Sequence, residues 1–131
     1  MMTNEEITAE LTAGGTTESL FDVLTDAGTQ LSPMPDRFRT PENLITGCLS
    51  QTYFGYARNN IGRIYIYGES QSTTLEGVIY YLQQYFKGVI REHSVDKPTW
   101  HYDSGLMAHL TPQRQQAVLQ MIDRCRNLYG E

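Results

Sequence analysis

Two stretches of alternating side chains, "SQTYFGYAR" (50–58) and "GRIYIYGES" (62–70), follow one another in the chain. In the first, Thr52, Phe54 and Tyr56 oppose Tyr53, Gly55 and Ala57. In the second, Ile64 and Ile66 oppose Tyr65 and Tyr67. A period of two marks a strand that buries one face. "NNIG" between them is turn chemistry, so the pair reads as a β-hairpin. The regular segments on either side have helical spacing. Strands that are grouped, not alternating with helices, exclude a parallel βαβ sheet. They predict an α+β class, a small antiparallel β-sheet of two to three strands packed with helices.

The helices announce themselves by their caps. Thr3 with Glu6 forms a capping box, and Ile7 and Leu11 share one face. After "AGGTT", Thr16 or Thr17 caps a second helix with the stripe Leu20, Phe21, Val23, Leu24, Ala27 and Leu31. "STTLEGVIYYLQQYFKG" predicts a third, with Thr73 and Glu76 as its capping box and Gly88 as its stop. Its buried stripe is Leu75, Val78, Ile79, Leu82 and Phe86. "SGLMAHLTPQR" predicts a short turn or helix, then a final helix with Thr111 as cap and Pro112 first inside. That helix packs Val118, Met121, Ile122, Cys125 and Leu128. "SPMPDRFRTPEN", with three prolines in twelve residues, reads as an ordered loop.

The 131 residues fit a single domain, 1–131. At 40% hydrophobic and 19% charged residues, the chain is globular in composition. "GVIYYL" is far too short to span a bilayer, so no membrane is expected. A formal charge of -5 with scattered Lys and Arg argues against nucleic acid as a partner. "MMTNEEITAEL" has no secretory pattern, which places the expected site of action in the cytoplasm. Two cysteines are not a disulfide framework there.

Cys125 falls on a helix stripe and reads as a core residue. Cys48 follows Gly47, where the proline-rich loop meets a strand. The pattern alone leaves Cys48 open between a small buried hydrophobe and a reactive thiol. A reactive thiolate needs a helper, and Arg37, Arg39, Arg114 and His109 are the candidates. His93, His101 and His109 have no zinc-like spacing, so no metal is expected. His101 with Asp103 is a weak signal for a catalytic pair. The many tyrosines read as amphipathic packing.

Three separated motifs resemble the SufE family of cysteine desulfurase partners. "PENLITGCLSQTYF" carries Asn43, Gly47, Cys48, Ser50, Gln51 and Tyr53. "GESQSTTLEGVIYYL" carries Gly68, Glu69 and Ser70 as a turn before a helix with an early Gly77. "GLMAHLTPQRQQAVLQMI" carries Gly105, Leu106, His109, Leu110, Thr111, Pro112 and Arg114. The chain differs from the usual pattern at Thr52, Tyr53, Gln71 and Gln115 to Ala117.

The resemblance implies a fold shared with IscU-type scaffolds. It also implies a function, sulfur acceptor and activator of a PLP-dependent cysteine desulfurase. Cys48 would take persulfide sulfur and pass it on for iron–sulfur cluster assembly. Asn43, Gly47, Ser50, Gln51, Arg114 and His109 would support the loop and the thiolate. The expected resting state is a cysteine loop over an apolar pocket. The implied partners are the desulfurase and cluster scaffold proteins. The chain would bind no cofactor itself, because the PLP belongs to the desulfurase, and it would be a sulfurtransferase-like accessory protein more than an independent enzyme. Two alternatives remain, an interaction module that modulates a desulfurase without carrying sulfur, and an IscU-type scaffold. A scaffold would need about three cysteine-type ligands, and only one lies in the motif.

Overall fold

The computed structural model describes residues 1–90 and 95–130. Helix α1 is Asn4–Thr12, opened by the expected reciprocal capping box of Thr3 and Glu6. Helix α2 is Thr17–Gly28, capped by Thr16 with Ser19 as its reciprocal partner. Leu20, Leu24 and Ala27 are buried, whereas Leu31 lies beyond the end of the helix and is half-buried.

The hairpin forms as its alternation predicts. Strand β1, Thr52–Arg58, pairs antiparallel with β2, Ile64–Ser70, setting Phe54 opposite Gly68 and Tyr56 opposite Ile66. Asn59 closes the turn, its side-chain oxygen accepting from the N–H groups of Ile61 and Arg63. A single bridge, Leu44 to Tyr53, lies on the far edge of β1, with Ile45 N–H donating to the Thr52 carbonyl at 2.8 Å. Among the described residues, the sheet therefore has two strands and one bridge.

Helix α3, Thr73–Phe86, begins one residue earlier than the sequence suggests. Its cap is Ser72, whose hydroxyl accepts from Leu75 N–H, and the box expected of Thr73 and Glu76 does not form. The reason lies at the end of β2. Ser72 N–H donates to the Ser70 hydroxyl, which holds Ser72 extended and turns Thr73 into the helix.

Helix α3 covers the buried face of the hairpin and packs against α2. Gly68 lets α3 approach, since a Cβ there would stand 2.9 Å from the Ile79 side chain. The other face of the hairpin carries the proline-rich segment, ordered as expected, with short 3-10 turns at Asp36–Phe38 and Pro41–Asn43. Phe38 stacks on Tyr67 with centroids 4.4 Å apart, and Asn43 lies against Gly55.

The remaining elements are α4, Trp100–Asp103, a 3-10 turn at Met107–His109, and α5, Pro112–Arg124. Thr111 caps α5 and Pro112 holds its first position, as predicted. Phe54, Tyr81, Phe86 and Trp100 are the bulkiest side chains of one buried cluster to which helices and strands both contribute. The arrangement is α+β.

Candidate functional site

Cys48 sits in the loop that leaves Ile45 and returns to β1 at Thr52. Each end of this loop is held by a glutamine. At the first end, Gln120 of α5 meets Thr46. Thr46 N–H and its hydroxyl donate to Gln120 Oε1 at 3.1 and 3.2 Å, and Gln120 Nε2 donates to the Thr46 carbonyl at 2.7 Å. At the other end, Gln51 N–H donates to Gln71 Oε1 and Gln71 N–H donates to the Gln51 carbonyl, both at 3.1 Å. One turn further along α5, Arg124 donates to the carbonyls of Phe54 and Leu44 at 3.0 and 2.8 Å.

Between these braces the chain turns at Gly47, whose φ of 75° lies in the left-handed region that favours glycine. Cys48 is a free thiol, half-buried, and packs on the edge of the core. Leu49 beside it is 87% exposed, an unusual place for a large apolar side chain. Cys48, Leu49 and Ser50 line a depression of about 230 Å³ with Thr111, Gln113 and Arg114 from the start of α5. The surroundings therefore differ from the apolar pocket expected, because the α5 side of the depression is polar throughout. The Arg114 guanidinium has no hydrogen-bond or ion-pair partner among the described residues, so its charge is uncommitted in the depression that Cys48 also lines.

The other candidate cations are elsewhere. Arg37 lies over the Phe38 ring, 4.9 Å from its centroid. Arg39 makes a two-bond fork with Glu69 at 2.8 Å and a contact with Asp36, and the Glu69 hydrogen bonds push its already high pKa further up. His109, expected beside the thiolate, is exposed and stands 3.4 Å from the Thr17 hydroxyl of α2, outside the depression. His93 lies outside the described residues. His101 is buried in α4 with Nδ1 unpartnered among the described residues, and Asp103 receives the Thr99 hydroxyl, so the two form no pair with Cys48. Burial, with help from Lys97 and against Asp103, lowers the His101 pKa to about 4.

The family-motif residues divide in the same way. Asn43 braces the proline-rich segment through the Phe38 carbonyl at 2.8 Å. The Ser50 carbonyl accepts from the Thr52 hydroxyl, and the Gln51 side chain reaches the Tyr53 hydroxyl. Gly68, Glu69 and Ser70, expected in a turn, are the last residues of β2, because pairing with β1 continues to Thr52 opposite Ser70. The turn proper is Gln71–Ser72. Ser70 shares a 2.7 Å hydrogen bond with Thr52, and Gly77 lies within α3 against α2. Cys125 is fully buried after α5, and burial pushes its thiol pKa up.

Sequence reasoning missed Gln120, Arg124 and the bracing side chain of Gln71. The i, i+4 spacing of Gln120 and Arg124 does place them on one face of α5. Among the described residues, no three His, Cys, Asp or Glu side chains gather as metal ligands. No helix among them is long and apolar enough to cross a membrane.

Nine solved chains match this one. One is the solution structure of a hypothetical protein from Thermus thermophilus, with a TM-score of 0.65 over 98% of this chain and 97% of that one. At 17% identity the likeness speaks for the fold alone. A family model, "SufE: Fe-S metabolism associated domain", matches residues 5–129. The match runs through the Cys48 loop, the end of β2 and α5, so the chain belongs to the SufE family and is associated with iron–sulfur metabolism.

Proposed function

We propose that the chain accepts sulfur from a PLP-dependent cysteine desulfurase on Cys48 and delivers it for iron–sulfur cluster assembly. One observation carries this reading. Cys48 is a half-buried free thiol on a loop braced at both ends, and Arg114 with an unpaired charge lines the same depression.

The step balances without an outside oxidant or reductant. The Cys48 thiolate attacks the outer sulfur of the persulfide on the partner's cysteine. One S–S bond forms to Cys48, and the partner's S–S bond breaks. The electron pair of the broken bond stays on the partner's sulfur as thiolate. The half-buried seat of Cys48 then limits access of small reductants to the product, and Arg114 offsets the negative charge of the incoming persulfide. Exposed Leu49 gives the partner an apolar handhold beside the thiol. A cluster scaffold protein is the proposed sulfur recipient, and two free thiols suit a reducing, cytoplasmic setting.

Desulfurase turnover tests the proposal. Wild-type chain should stimulate alanine release from cysteine, and Cys48→Ser should not. Equal stimulation by both would overturn the sulfur-carrying role and leave an interaction module in its place.

A further inference from the structure

We propose that Gln120 is a positioning residue for Cys48. Its carboxamide clamps the first residue of the loop and confines movement to residues 47–50. This rests on the reading of Cys48 as the sulfur-accepting thiol.

The clamp satisfies three polar groups of one residue. Both the N–H and the carbonyl of Thr46 bond to a single side chain, as they would to a neighbouring strand, and the Thr46 hydroxyl adds a third bond. Thr46 is exposed, so water could serve these groups. The bonds therefore contribute more to location than to burial. Gln120 stands on α5, whose opposite face is anchored in the core by Val118, Met121 and Ile122. Arg124, one turn on, fixes the same helix to Leu44 and β1.

The same helix begins at the depression that Arg114 shares with Cys48. Arg114 and Gln120 are six residues apart, a rise of about 9 Å along a helix. One rigid element therefore sets the position of Arg114 and the starting point of the cysteine loop together. Gly47, at a φ of 75°, comes directly after the clamped residue. A fixed point followed at once by a glycine defines a pivot, and the thiol is the next residue.

The test reads the thiol itself and needs no desulfurase. The reaction rate of Cys48 with a neutral aromatic disulfide is measured for wild type, Gln120→Ala, Gln120→Glu and Gln116→Ala. Cys125 is fully buried, and Cys48→Ser gives the blank. Gln120→Ala should react about threefold to tenfold faster, the loss expected for a small set of exposed hydrogen bonds. Gln120→Glu should fall between, because it keeps the acceptor for Thr46 and loses the donor. The exposed Gln116→Ala, on the same helix, should match wild type. Melting temperatures of the Gln120 variants should fall by no more than a few degrees, since the lost bonds are few and exposed and alanine is a good helix former. A merely structural residue would lower the melting temperature and leave the thiol rate alone. Equal rates for wild type, Gln120→Ala and Gln120→Glu overturn the proposal. A wild-type chain that takes up no sulfur, with the reagent ordering intact, overturns the sulfur-transfer reading and leaves the clamp standing.

Discussion

Gly77 of α3 lies against the backbone of Leu24 in α2, so that a Cβ on Gly77 would stand 2.8 Å from the Leu24 Cα. Real side chains do not approach so closely, and the obstacle is backbone that cannot rotate away. Alanine is better than glycine within a helix by about 1 kcal/mol, but here it would force α2 and α3 apart. Gly77→Ala should therefore destabilise the fold by about 1–3 kcal/mol net. Urea denaturation measures this. A midpoint equal to or above wild type would show that the two helices can separate without loss.

His101 makes stability depend on pH. Its pKa is about 4 in the fold against 6.5 for the free side chain. Above both values the imidazole is neutral in folded and unfolded chains alike, and stability is whole. As pH falls below 6.5 the unfolded chain takes the proton first and stability drops, until the folded imidazole also protonates near pH 4. Between about pH 7 and pH 5 the loss should be about 2 kcal/mol. His101→Asn should flatten the profile by that amount. Urea unfolding at the two pH values measures it, and parallel profiles for wild type and variant would contradict it.

The two cysteines should separate cleanly. Cys125 is fully buried and belongs to the core, so Cys125→Ala should cost about 1–2 kcal/mol of stability. Its sulfur uptake from the desulfurase should equal that of wild type. Uptake lost in Cys125→Ala while the chain stays folded would give Cys125 a chemical role that its burial denies.

Much of this fold is legible in the chain. The box at Thr3, a threonine cap for α2 and the Thr111–Pro112 start of α5 are local signals, and local hydrogen bonds decide them. The hairpin is legible because alternation and "NNIG" agree. The cap of α3 falls one residue before the sequence places it, because Ser72 and Thr73 are both good caps and the choice depends on Ser70 in the preceding strand. The site is legible only in part. Cys48 and Arg114 line one depression, but His109 goes to α2. The glutamine braces are invisible in the sequence, because Gln120 and Gln71 read as ordinary polar surface. Which backbone a carboxamide will meet depends on the packing of α5 and of the end of β2, and no local spacing records it.

Arg114 should act through its charge. Arg114→Ala should slow sulfur uptake by about fivefold at low ionic strength, and Arg114→Lys should restore part of the rate. Added salt should shrink the gap between wild type and Arg114→Ala, because a half-exposed charge is screened. Single-turnover uptake at two salt concentrations measures both effects. A defect that lysine does not relieve and salt does not change would assign Arg114 a shape role instead.

The most direct measurement is the mass of the chain after incubation with a cysteine desulfurase and cysteine, followed by alkylation and peptide mapping. Wild type should gain one sulfur atom, found on the peptide that holds Cys48, and Cys48→Ser should gain none. Added sulfur on Cys48→Ser, or none on wild type while the desulfurase turns over, would contradict Cys48 as the acceptor.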